Sequence, residues 1–135
     1  MDLSYVRTTC PYCGCGCELL LETFDGKITS TIPSKSNRMN QGKLCIKGWN
    51  VHEFVQSPKR LKKPLVKKDG VLQEVSWDEA LDFAATRLRE IKAKDGGDSM
   101  AFLTSAKCSN EENYLFQKFC RVGFGTNNID HCARL

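Results

Sequence analysis

The stretch Cys10-Pro11-Tyr12-Cys13-Gly14-Cys15-Gly16-Cys17 sets four thiols within eight residues, and a fifth, Cys45, follows far enough downstream to close over them. Gly14 and Gly16 let the backbone turn tightly and aim N–H groups at sulfur. Two residues separate Cys10 from Cys13 and three separate Cys13 from Cys17. Close spacings completed by one distant cysteine are the pattern of a loop that wraps an iron–sulfur cluster. Cys10, Cys13, Cys17 and Cys45 make a four-thiolate set, with Cys15 left as a spare thiol. Zinc is the alternative, but a zinc ribbon shows two close pairs, one per knuckle, and Cys45 has no close partner. The spacing therefore favours a cluster over zinc.

The surroundings agree with a metal or redox reading. A chain of 135 residues is long enough for one ordinary domain or two small units. Hydrophobic content of 41% and charged content of 27% fit a soluble globular protein. A net charge of +4 suits an anionic cofactor or partner and is too small to argue for nucleic acid. No apolar run is long enough to span a bilayer. The N-terminus has neither a basic-then-apolar pattern nor a twin arginine, so a cytoplasmic location is expected. In that reducing compartment eight cysteines are poor disulfide material.

The rest of the chain reads as support. Residues 1–9 are β-prone (Tyr5, Val6, Thr8, Thr9). Leu19 to Thr23 and Lys27 to Ile32 flank Asp25-Gly26, a hairpin signal. Pro33 to Gly42 is a polar loop that returns the chain to Cys45. Residues 46–56 predict a short helical turn that stops before Pro58. The basic run 58–68, broken by Pro58 and Pro64, marks a domain junction, and Asp69-Gly70 signals a second hairpin. A helix is predicted from Ser76, a cap with Glu79 three residues on. Trp77, Leu81, Ala84, Leu88 and Ile91 fall on one face of it, and Gly96-Gly97 ends it. Met100 to Leu103 predicts a strand and Asn110 to Val122 a second helix, broken by Gly123 and Gly125. The fold class expected is mixed α+β and α/β: a small iron–sulfur domain with a β-hairpin over 1–57, then over 58–135 the start of an α/β cofactor-binding domain with a parallel sheet.

Outside the loop, Cys108 and Cys120 read as small buried hydrophobes. Lys47, two residues past Cys45, is either a solvated lysine or a cation set between the cluster and an anionic cofactor.

Several motifs then resemble one family in order. Cys10-x2-Cys13-x3-Cys17-x27-Cys45 followed by Ile46-Lys47-Gly48 resembles the N-terminal iron–sulfur segment of the molybdopterin-dependent oxidoreductases. Arg60-Leu61-Lys62-Lys63-Pro64-Leu65, Val75-Ser76-Trp77-Asp78-Glu79-Ala80, Asn110 through Lys118, and Gly125-Thr126-Asn127-Asn128-Ile129-Asp130 fit the same family. Asp130-His131-Cys132-Ala133-Arg134-Leu135 resembles the formate dehydrogenase branch. Nitrate reductases tend to carry Pro-Asn where His131-Cys132 stand.

The resemblance implies that Cys10, Cys13, Cys17 and Cys45 ligate one [4Fe–4S] cluster. It implies that Lys47 lies between that cluster and a pterin of bis-molybdopterin guanine dinucleotide holding molybdenum or tungsten. It implies a whole enzyme that oxidises formate to carbon dioxide and passes electrons singly to a partner subunit or carrier. The metal-binding cysteine or selenocysteine is expected just after Leu135, at position 136. A stop at an in-frame UGA selenocysteine codon is one expectation for the end of the sequence. On that reading the 135 residues alone hold at most the cluster and are catalytically inactive. A nitrate reductase or formylmethanofuran dehydrogenase type, or a stand-alone iron–sulfur or zinc module, are the other readings.

Overall fold

The computed structural model describes residues 2–132. Its chain sorts into two compact units. The first contains the segment up to Arg60, Thr104–Phe116 and the residues from His131 on; the second contains Leu61–Leu103 and Gln117–Asp130.

The first unit is built on a three-stranded antiparallel sheet, β1 (Leu3–Thr9), β2 (Glu18–Phe24) and β3 (Lys27–Pro33), in that order. Asp25 (φ 46°) and Gly26 (φ 76°) are both left-handed, as a two-residue hairpin turn of type I′ demands. The β-prone lead-in is therefore a full partner strand, with Leu3 opposite Phe24 and Thr9 opposite Glu18. The cysteine loop is the connection between β1 and β2. It is closed at its base by the Cys10 amide donating to the Cys17 carbonyl at 2.8 Å.

Two short helices follow Cys45, α1 (Ile46–Trp49) and α2 (Val51–Val55). They return to the sheet through side chains. The Gln56 amide brackets Ile28, accepting from its N–H at 3.2 Å and donating to its carbonyl at 2.6 Å. Thr31 and His52 meet at 3.0 Å. The small core beneath the cysteine loop consists of Cys10, Leu19 and Val51, with Tyr12, Cys17, Leu21, Leu44 and Phe54 packed on it. Tyr12 and Phe54 meet edge to face with ring centroids 5.9 Å apart, a favoured aromatic geometry.

The second unit opens with the hairpin β4 (Leu65–Lys68) and β5 (Val71–Glu74), turned by Asp69-Gly70 with both residues again left-handed. Helix α3 (Trp77–Asp95) starts where its cap predicts: the Glu79 amide donates to the Ser76 hydroxyl at 3.1 Å. No residue of α3 is buried, so the stripe containing Trp77 and Leu81 faces outward. Thr126 is almost fully buried; its hydroxyl donates to Asp98 at 2.7 Å and accepts from the Asn128 amide. Phe102, Phe119 and Phe124 form a ring cluster, with centroids 5.1 to 6.4 Å apart.

One expectation needs correction. The single helix over Asn110 to Val122 is instead α4 (Asn110–Lys118) continued by a wider π-helical turn over Phe119–Phe124. The wider turn lets Phe119 and Phe124 share the ring cluster, and Gly125 (φ 73°) ends it. Beyond it a second strand forms: β6 (Phe102–Ser105) pairs with β7 (Ile129–Cys132). Among the described residues no helix is long and apolar enough to cross a membrane.

Candidate metal centre

The loop conformation follows from its composition. Cys13 (φ 53°) and Gly16 (φ 65°) are both left-handed. Gly14 is required for a different reason. A Cβ there would lie 2.3 Å from Asn110 Oδ1, far inside contact distance. Asn110, at the start of α4, instead donates from Nδ2 to the Gly14 carbonyl at 3.0 Å. The loop is thus clamped from a residue 96 positions away in sequence.

Cys45 is returned to the loop by Asn40. This buried side chain donates to the carbonyls of Glu18 and Lys43, each at 3.1 Å, and its Oδ1 accepts from the Glu18 amide at 3.3 Å. Ser34 adds a hydroxyl bond to Glu18 at 2.5 Å, and the Gly42 amide donates to the Ser34 carbonyl. The polar loop therefore has a defined path, and it ends with Cys45 beside the β1–β2 connection.

The thiols sense one another. Burial pushes the Cys10 thiol up, and the nearby Cys45, Cys13 and Cys15 push it further against a lowering contact from the Tyr12 amide. The Cys17 thiol is pushed up to about 11, by burial first, then by its hydrogen bond with Cys15 and the charges of Cys15, Cys10 and Cys13. Cys15 and Cys17 lie 3.5 Å apart, sulfur to sulfur. Cys45 behaves oppositely. It precedes α1, and although it makes no full capping hydrogen bond, the Gly48 amide and then the Lys47 amide and ammonium hold its thiol below the usual range. Amides aimed at a sulfur are what a cluster ligand requires.

This donor set fits a polynuclear cationic core. Thiols that raise one another's pKa repel when ionised, and a bound cation offsets that repulsion. Among the described residues no three His, Cys, Asp or Glu side chains are gathered closely enough to hold a single metal ion.

Lys47 lines an open cleft of about 510 Å³ with Tyr12, Ile46, Asn50, Glu53 and Phe54. Arg60 stacks over Phe54 at 5.2 Å from the ring centroid. The other cysteines lie apart in chemistry. Cys120 is fully buried, as a small core hydrophobe should be, and burial raises its thiol. Cys108 is half-buried. Cys132 is exposed, and the Ala106 amide and the Ser105 hydroxyl, 3.7 Å away, lower its thiol. Ala133, Arg134 and Leu135, which lead to the metal ligand expected at position 136, lie outside the described residues. Asn40 and Asn110 are the site residues that sequence reading missed. The glycine at position 14 carried the one available signal, because a second glycine in so short a loop marks a close approach.

Residues 3–57 match the family described as the molybdopterin oxidoreductase Fe4S4 domain. Residues 60–135 match the one described as molybdopterin oxidoreductase. F420-dependent formate dehydrogenase 1 subunit alpha of Methanococcus maripaludis is 49% identical over 135 residues, all of this chain and 19% of that protein. F420-dependent formate dehydrogenase subunit alpha of Methanocaldococcus jannaschii is 47% identical over the same span, again 19% of its length. The chain thus spans about a fifth of these relatives. Among solved structures, acetylene hydratase from Pelobacter acetylenicus superposes with a TM-score of 0.69 at 25% identity, covering 93% of this chain and 18% of that one.

Proposed function

Because this chain belongs to the molybdopterin oxidoreductase family, we propose that Cys10, Cys13, Cys17 and Cys45 hold one [4Fe–4S] cluster that relays electrons from a molybdopterin-bound metal. The observation that carries this reading is the match of residues 3–57, which contain all four cysteines, to the molybdopterin oxidoreductase Fe4S4 domain. When bound, the cluster supplies one-electron transfer and a molybdenum or tungsten ion on bis-molybdopterin guanine dinucleotide supplies two-electron exchange with substrate.

This chain's residues have separate tasks in that scheme. The Gly48 and Lys47 amides stabilise negative charge on the Cys45 sulfur. Leu19, Val51, Tyr12 and Phe54 keep water from the Cys10 side of the loop. Lys47 places its ammonium in the cleft next to Cys45, where it suits an anionic pterin and stabilises added negative charge. Glu53 shares that cleft.

In a chain of the relatives' full length, the proposed reaction takes formate to carbon dioxide, releasing two electrons and a proton. Sequence identity of 47–49% to formate dehydrogenase subunits favours formate over the other substrates of the family. The shared fold does not choose the reaction, since a hydratase also superposes on this architecture. The F420 dependence that names those relatives favours an acceptor of that kind, reached through a partner subunit or carrier. The test is formate-dependent acceptor reduction by the full-length protein. Activity with formate that falls about thirtyfold in Lys47→Ala while the visible cluster spectrum persists is the expected result. Turnover of nitrate and none of formate would replace this reading with the nitrate reductase type.

A further inference from the structure

The loop contains one thiol more than the proposed cluster uses, and that thiol touches a ligand. Cys15 Sγ and Cys17 Sγ are 3.5 Å apart and hydrogen-bonded. A disulfide needs about 2.05 Å between sulfurs, so a closure of roughly 1.5 Å joins them. The residue between them is Gly16, left-handed at φ +65° and with open space where a Cβ would stand. Cys15 is exposed and open to a small oxidant, whereas Cys10 is buried in the core beneath the loop.

We infer that Cys15 and Cys17 form a reversible disulfide in the cluster-free protein, by exchange with a low-molecular-weight disulfide, and that this bond withholds Cys17 from cluster assembly. The withholding role rests on the reading of Cys17 as a ligand; the disulfide does not. The exchange balances in two steps. Cys15 loses its proton, and its sulfur attacks the small disulfide RSSR, forming Cys15–S–SR and releasing one RSH. Cys17 then loses its proton, and its sulfur attacks the Cys15 sulfur, breaking that mixed bond and releasing the second RSH. Two protein thiols are oxidised by two electrons, and one external disulfide is reduced to two thiols. An exposed disulfide in so short a ring belongs to the labile, regulatory class, and a dithiol reductant reverses it. The spare thiol thereby makes loading depend on the thiol–disulfide balance around the protein.

The test uses the 135-residue chain stripped of metal under anaerobic conditions. It is equilibrated with mixtures of oxidised and reduced glutathione, mapped by peptide mass spectrometry, then supplied with iron and sulfide. The expected result is a Cys15–Cys17 crosslink, with cluster absorbance at least about tenfold below that of the reduced chain and restored by dithiothreitol. Cys15→Ala, and separately Cys15→Ser, should load equally from oxidised and reduced mixtures. A crosslink through Cys10 or Cys13, or a stable glutathione adduct on Cys15 with no internal bond, overturns the disulfide. Equal loading of oxidised and reduced wild-type chain overturns the withholding role while leaving the cluster reading intact. A reduced chain that never loads sinks the cluster reading and the withholding role together, whichever crosslink forms.

Discussion

At the scale of single residues, ligand cysteines and their neighbours should respond differently to substitution. Cys17→Ala should abolish the visible absorbance of anaerobically reconstituted protein, and Cys15→Ala should leave most of it; the reverse outcome would reassign the ligand set. Asn110→Ala removes the clamp on the Gly14 carbonyl. It should cost about 1 kcal/mol in stability, and faster amide hydrogen exchange across 13–17 is its signature. Charge at Lys47 is expected to matter more for turnover than for stability. Unit charges ~8 Å apart at an effective dielectric of ~20 interact by about 2 kcal/mol, about thirtyfold in rate. Thiol reactivity should also follow environment. Alkylation of the metal-free chain near neutral pH should label exposed Cys132, whose lowered pKa leaves more thiolate, before buried Cys120, whose raised pKa leaves less. Equal labelling in a time course read by mass spectrometry would contradict the placement of both.

At the scale of elements, the legible features were those whose cause is local. Asp25-Gly26 and Asp69-Gly70 announced hairpins because two adjacent left-handed residues strongly favour Gly, Asn and Asp. Ser76 announced α3 because the cap and Glu79 are neighbours in sequence. Removing that cap with Ser76→Ala should cost about 1 kcal/mol, read as a lower denaturant midpoint with unchanged slope. What stayed hidden depends on distance. The polar Ile129–Cys132 segment has little of the apolar alternation that marks a strand, and its pairing with β6 supplies the evidence. The switch from α4 to a π turn has no compositional mark, since it answers to where Phe119 and Phe124 must pack. Asn40 sat within a stretch readable only as a polar loop. Its three hydrogen bonds across the Glu18–Lys43 gap are what return Cys45 to the other thiols. Asn40→Ala should therefore reduce cluster loading, although residue 40 ligates nothing.

At the scale of the whole molecule, much apolar surface is uncovered. Trp77 is 65% exposed and Leu81 60% exposed on α3, and Ile46, Leu61, Leu103 and Val122 are more exposed still. Single exposed apolar side chains are ordinary, but this number of large ones is not. The isolated chain should accordingly bind a hydrophobic dye and scatter light increasingly with concentration; a monodisperse, dye-silent chain would contradict the exposed stripe. The four-thiol site needs no such surface, because its core and its clamps lie within one compact unit. The most direct test is the iron and acid-labile sulfide content of the chain after anaerobic reconstitution and desalting. The account predicts about four of each per chain, as one [4Fe–4S] cluster demands. A colourless protein holding one zinc and no sulfide would contradict it.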